Sequence, residues 1–307
     1  MRSLSMNIHR LTLKAQARQA MAAARPGARR MTLFYLLLTS GPSLLVSLFL
    51  TNPLTELAQL LQAGLDAPRA ILLALSNTGA VSLFVHVFLL LLTVVLDFGY
   101  ELWCLGTTRG GVGEWPDLSA GFSMAGRVVL LRLAVLLYSF ILYMSCLMVA
   151  MLISGVVLMS GTVGVLAVLP IFAAAIGFAL WRILHYTQAS FCLMDHPDDG
   201  VFHAMAESRD LMRGHGKEYI FFLLSFLGWS ALGLAIQFAI DAALMLVFGG
   251  PSLLAGDLSG AMAAVEAHPA IQAAACLLCW PYYAWLTPYQ TMSLCRFYDA
   301  LRHGPQQ

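Results

Sequence analysis

Six stretches of this chain, at about residues 31–50, 81–103, 128–157, 161–186, 218–248 and 270–295, are continuously apolar. Each reaches or exceeds the ~20 residues that a helix needs to cross a hydrocarbon layer ~30 Å thick. A backbone in lipid has no water to bond, so such segments must satisfy their own amides. Runs this long without period-2 alternation are therefore helices and not barrel strands. Composition agrees: 60% of residues are apolar and 11% charged, against roughly a quarter charged in soluble domains. The expected fold class is all-α, a polytopic membrane protein of six transmembrane helices.

The distribution of basic residues orients these spans. Residues 1–30 hold Arg2, Arg10, Lys14, Arg18, Arg25, Arg29 and Arg30 and no acid. Arg109, Arg127, Arg209, Arg213, Lys217, Arg296 and Arg302 occupy alternate connections, and Arg132 and Arg182 lie near the same ends of spans three and four. The intervening connections carry Arg69 as their one base, so 16 of 17 Lys and Arg residues fall on one side. By the positive-inside tendency that side is cytoplasmic and holds both termini. The long basic region, an apolar run of about 20 residues and the lack of an A-x-A site favour a retained anchor over a cleaved signal peptide.

Three regions are expected: a cytoplasmic basic amphipathic segment at 1–30, the six-span domain at 31–301, and a tail at 302–307. In the first, Ile8, Leu11, Ala15 and Ala22 fall near one helical face and Arg10, Lys14 and Arg18 on another. This pattern suits either a basic helix on anionic headgroups or a plain positive-inside tail. After Asn52-Pro53, leucines 54, 57, 61 and 65 predict an interfacial helix, and Pro68 and Gly79 bracket a further apolar piece. A short helix is expected within 257–266. In the connection 193–217, Asp199 is expected to cap a helix over 200–213 whose Val201, Ala204, Met205, Ser208 and Met212 line one face, with Val201, Met205 and Met212 turned inward and Glu207, Arg209, Asp210 and Arg213 away, and with Gly214 as its stop. That helix is the candidate cytoplasmic docking surface.

Chemistry has few anchors. All six cysteines lie in or at the ends of spans, and Cys276-x-x-Cys279 reads as two small apolar side chains one turn apart. Asp195, His196, Asp198, Asp199 and His203 invite a metal reading, but no His-x3-His pair supports it. Gly214-His-Gly-Lys217 is followed by Glu218 where a phosphate loop needs Ser or Thr. No nucleophile elbow or metalloprotease motif occurs. Asp97, Glu101, Arg132 and Arg182 form a candidate inner-face charge cluster in which Asp97 or Glu101 neutralises Arg132; with His185 they are what a lipid-modifying enzyme would have to use. Pro42, Pro170, Pro281 and Pro288 are candidate hinges, against the general frequency of proline in membrane helices. Tyr186-Thr-Gln-Ala-Ser-Phe-Cys192 echoes Tyr289-Gln-Thr-Met-Ser-Leu-Cys295, which reads either as a parallel repeat of hairpins or as coincident composition.

The segments MRGHGKEYIFFLLSFLGW (Met212 to Trp229) and LTPYQTMSLCRFYDAL (Leu286 to Leu301) resemble a bacterial integral-membrane family called domain of unknown function 975. GYELWCLGTTRG from Gly99, DLSAGF (Asp117 to Phe122) and the Asp195-x-Pro197 turn extend the resemblance over nearly the whole chain. Around Leu169-Pro170-Ile171-Phe172 the sequence departs from the family pattern. The resemblance implies a protein of the bacterial cytoplasmic membrane and brings no catalytic residues. The resulting expectation is a non-enzymatic component that organises membrane lipids or another membrane protein, with no cofactor, metal or nucleic acid. The alternative is a permease-like carrier of an uncharged or apolar solute.

This topology predicts that reporter fusions after Leu65 and Asp257 face outward and fusions after Gly113, Gly200 and His303 face the cytoplasm. One inverted hairpin would break the six-span scheme.

Overall fold

A computed structural model describes residues 10–50, 53–159, 162–250 and 269–303. Among these the chain is all-helical. The α-helices are α1 (Arg10–Ala23), α2 (Ala28–Ser47), α3 (Pro53–Gln62), α4 (Ala67–Thr108), α5 (Asp117–Ser123) and α6 (Ala125–Leu158). They continue as α7 (Thr162–Ile183), α8 (Ala189–Asp195), α9 (Val201–Met212), α10 (Gly216–Leu224), α11 (Leu227–Phe248) and α12 (Pro269–His303). Asn52 and the segment 257–266 lie outside the described residues.

Among the described residues, four helical stretches are long and apolar enough to cross a membrane: Gly79–Thr108, Ala125–Leu158, Leu166–Asp195 and Gly216–Phe248. They hold expected spans two to five. Helices α2 and α12, which carry expected spans one and six, are less apolar. The cause is visible in their residues: α2 includes Arg29, Arg30, Thr39 and Pro42, and α12 includes Gln272, Pro281, Tyr282 and Pro288. Helices run through all four candidate hinge prolines. The break in α4 falls at Gly79, whose φ of 74° separates the piece beginning at Ala67 from the span beginning there. The third stretch also passes through a 3-10 turn, Leu184–Tyr186, before α8.

The chain divides into two compact units. One comprises Lys14–Phe122 and Ser225–Ser293. In it α2 and α3 pack on α4, and Met31, Phe98, Trp103, Cys104, Tyr289 and Met292 are buried. Helix α5 lies backbone to backbone with α4. A Cβ on Gly99 would run into the carbonyl of Leu118, and one on Gly121 into the carbonyl of Val95. Two short sequence segments, GYELWC and DLSAGF, thus owe their glycines to one close approach.

The other unit comprises Met1–Leu13, Ser123–Leu224 and Leu294–Gln307. Its frame is the α6–α7 hairpin, with α8 and α9 packed together and against α6. Its core is aromatic: Phe297 stacks on Phe222 at 5.1 Å, Tyr219 lies 5.4 Å from Phe297, and Phe191 stacks on Tyr298 at 5.3 Å. Gly216 lets α10 approach Trp181, whose ring would stand 3.1 Å from an added Cβ.

Gly99→Ala and Gly121→Ala should each destabilise the protein by about 1–3 kcal/mol, because a methyl group must push two backbones apart. Thermal unfolding in a mild detergent measures this. An alanine at both positions with an unchanged transition would refute the close packing.

Candidate functional site

A polar cluster with defined geometry is centred on Asp195, the last residue of α8. Two donors from α12 share one of its carboxylate oxygens: Tyr298 Oη at 2.8 Å and Arg302 Nη1 at 2.7 Å. Arg302 Nη1 also donates to Tyr298 Oη at 2.6 Å, and its Nη2 lies 3.7 Å from Glu207 of α9. His196 meets the same guanidinium. Tyr298 and Arg302 are four residues apart, so both project from one face of α12. The Asp195 and Arg302 side chains are 15% and 20% exposed, which makes this a partly buried pair with little screening. Burial pushes the Tyr298 phenol well up, with Cys192 and Asp195 adding to it. Burial alone would lower the Arg302 pKa, but Tyr298, Asp195 and Glu207 raise it, so the guanidinium stays charged. Beside the cluster, Arg127 donates to the Pro197 carbonyl at 2.7 Å.

Helix α9 occurs as expected but differs in detail. Gly200, at φ 86°, precedes it and no side chain caps it, since Asp199 closes the 3-10 turn Pro197–Asp199. The inward stripe is Val201, Ala204, Ser208 and Met212, with Met205 only half-buried. Ser208 Oγ donates to the His185 carbonyl at 2.8 Å, which explains why a hydroxyl sits in that stripe. Glu207 turns toward Arg302, contrary to expectation, while Arg209 and Asp210 are exposed. Apolar spacing could not reveal this because the attraction comes from a residue 95 positions away in the sequence. Asp199 lies 3.6 Å from His203 and 4.0 Å from His196, but no group of three potential metal ligands assembles among the described residues.

The candidate charge cluster is distributed over both units. Asp97 and Glu101 belong to the unit containing α4, and Arg132 and Arg182 to the other. Asp97 accepts a hydrogen bond from Tyr35 Oη at 2.5 Å. Tyr35 stacks on Tyr100 at 4.4 Å, and Tyr100 Oη pairs with Thr32 Oγ1 at 2.8 Å. Arg132 lines a cleft of about 420 Å³ in its own unit, together with Ser139, Tyr186, Thr187, Ser190 and Tyr219 and apolar walls from Leu131 and Ile183. The two echoed segments behave alike at several places: Ala189, Ser190 and Cys192 are buried, as are Met292, Ser293 and Cys295.

Helix α1 corrects the expected amphipathic face. Leu13, Ala17 and Ala20 are buried, whereas Leu11 is 83% exposed and Ala15 and Ala22 are also outward; Ile8 lies outside the described residues. Both stripes repeat at helical spacing, so period alone could not choose between them, and the one with small residues permits the closer approach. The bases at positions 10, 14 and 18 lie over rings of the protein itself. Arg10 sits 5.0 Å from the Phe221 centroid, Lys14 3.9 Å from Phe226, and Arg18 5.2 Å from Tyr289. Lys14 also donates to the Ser225 carbonyl at 2.9 Å. Partial burial, followed by the neighbouring charge of Arg18, holds the Lys14 ammonium below its ordinary pKa. A second cleft, of about 410 Å³, is lined by Arg18, Met21 and Ala22 of α1 and by Gly27, Ala28, Arg29 and Arg30.

The profile of the family described as "Protein of unknown function (DUF975)" matches residues 13–304. The chain belongs to this family. No curated protein and no solved structure matches it. In this DUF975 chain the matched segment includes every residue of the Asp195 cluster, and the segments around Gly99, Asp117, Asp195 and Tyr298 supply a close backbone approach and a partly buried ion pair.

Asp195→Asn should cost about 2–4 kcal/mol by leaving a partly buried guanidinium short of its best acceptor. Adding Arg302→Gln should recover part of that loss, and a double-mutant cycle on thermal stability in detergent measures the coupling. Fully additive losses would exclude the pair as an energetic unit.

Proposed function

We propose that this chain is a six-span protein of the bacterial cytoplasmic membrane with both termini in the cytoplasm. We further infer that it acts without catalysis, as a component that organises lipid or a partner membrane protein. The observation that carries this reading is how little of the spanning surface is buried. In the most apolar windows of Leu166–Asp195 and Gly216–Phe248 only 6% of residues are buried, and in Ala125–Leu158 only 11%. Side chains such as Leu136, Phe140, Met148, Leu152, Phe178 and Phe238 are largely exposed. A surface of this kind needs lipid tails or another apolar protein against it.

The polar groups support the same reading. Asp195 and Asp97 each accept hydrogen bonds from phenols of the fold, and Asp195 is also ion-paired, so these acids have defined structural duties. In the six-span arrangement, α2 and α12 are the first and sixth spans. They are less apolar because their residues include buried groups that serve packing, such as Thr32, Thr39, Tyr289 and Ser293.

Extracted from its native membrane in polymer discs, without detergent, the protein should carry a lipid complement different from bulk membrane or a second membrane protein in fixed proportion. Discs with bulk-like lipid and no companion, together with solute flux in proteoliposomes, would replace this reading with that of a carrier.

A further inference from the structure

The bases of the N-terminal segment do not share one environment. Arg10 and Lys14 lie over aromatic rings, and Lys14 also bonds a backbone carbonyl. Arg29 and Arg30 are exposed at the start of α2 and line the 410 Å³ cleft with Arg18. Arg18 is held at its wall, since Nη2 donates to Tyr289 Oη at 3.2 Å while the guanidinium lies over the same ring. The first carboxylate in the sequence is Glu56, and among the described residues no acid pairs with Arg29 or Arg30. Three guanidiniums thus converge on one cavity of small and apolar residues, with no acid among those that line it. Guanidinium forks suit phosphate oxygens, which they can engage through paired N–H donors.

The surface continues from this cleft in a way that a free anion would not use. Arg29, Leu33 and Leu37 recur every four residues along α2, and Phe34 follows Arg30 at the same spacing. Leu33, Phe34 and Leu37 are 40%, 38% and 53% exposed. At 1.5 Å rise per residue, Leu37 lies about 12 Å along the helix from Arg29. Cationic groups at one end of an apolar rail match an amphiphile with a phosphate at one end and a hydrocarbon chain behind it.

We propose that the cleft formed by Arg18, Arg29 and Arg30 binds the phosphate headgroup of an anionic phospholipid whose acyl chain runs along Leu33, Phe34 and Leu37. This rests on the membrane-embedded reading given above and deepens it by assigning the class of lipid and the residues that select it. The aromatic contacts of α1 then have a definite consequence: they spend Arg10 and Lys14 within the protein, hold Arg18 against Tyr289 at the wall of the cleft, and leave Arg29 and Arg30 to the lipid.

The test uses the full chain purified in uncharged detergent and titrated with phosphatidylglycerol or phosphatidylcholine, with thermal stability and native mass spectrometry as readouts. Phosphatidylglycerol should bind and stabilise in preference to phosphatidylcholine. Arg29→Gln with Arg30→Gln should weaken that binding about tenfold or more, Arg29→Lys with Arg30→Lys, which keeps the charge but loses the fork, should weaken it less, and Arg69→Gln should leave it unchanged. An undiminished response in the glutamine pair would overturn this site and leave the lipid-organising reading intact. No response to either lipid in the unaltered chain would count against both. Inorganic phosphate or glycerol phosphate reproducing the full effect would make this a free-anion site and overturn the lipid assignment. If the glutamine pair does not fold, Ala22→Cys decides: phosphatidylglycerol should slow its modification by a maleimide and phosphatidylcholine should not, and equal protection by both sinks the proposal.

Discussion

A carboxylate near apolar helix ends persists as a charge only where hydrogens are aimed at it, and Asp195 has two, from Tyr298 and Arg302, on the same oxygen. Breaking up such a partly buried pair leaves a cation without its counter-charge, which is far more expensive than losing an exposed salt bridge. The arrangement joins the end of α12 to α8, and through Glu207 to α9. The aromatic stacks of Phe191, Tyr298, Phe297 and Phe222 surround the same residues, so the polar pair and the apolar core of this unit fix one another.

The unit containing α4 handles its acid in a related manner. Asp97 receives a phenol hydrogen from Tyr35, which is held by stacking on Tyr100. Cations, in turn, are placed over rings at Phe226 and Tyr289. In a chain with 11% charged residues, aromatic side chains supply both the hydroxyl donors for acids and the ring faces for bases. That economy explains why tyrosine and tryptophan are concentrated in α12 and at the end of α4, where the apolar character is correspondingly lower. It also bears on function, because each acid or base with a structural duty is one fewer available for transport or catalysis. The cleft beside Arg29 and Arg30 stands out as the place where positive charge is gathered without such a duty.

Much of the helical organisation could be read from the linear sequence. Apolar runs longer than ~20 residues have one physical solution in an apolar medium, and the four stretches overlap the runs that place them, the third extending beyond its run to Asp195. Gly79, Gly200 and Gly214 mark real breaks because each has a positive φ, which other residues avoid. The helix over 201–212 was legible from its spacing, and so was the family, from motifs spread along the whole chain. Gly99, Gly121 and Asp195 all lie inside the segment that the family profile matches, and their tight contacts come from backbone approach at the two glycines and from charge at Asp195.

The faces of the helices were decided only in three dimensions. In α1, two stripes have the same periodicity, and the choice of Leu13, Ala17 and Ala20 as the inward one depends on which neighbours the helix meets. Glu207 turns inward because Arg302, at the far end of the chain, reaches it; no local pattern encodes that attraction. The cleft of Arg18, Arg29 and Arg30 likewise exists only once α1 folds back beside the start of α2. Sequence alone determined that this chain is helical and which segments are apolar enough for a membrane, because hydrophobic length and backbone hydrogen bonding are local constraints. Tertiary structure decided which charges meet and which remain available, because electrostatic pairing acts through distances that the order of residues does not contain.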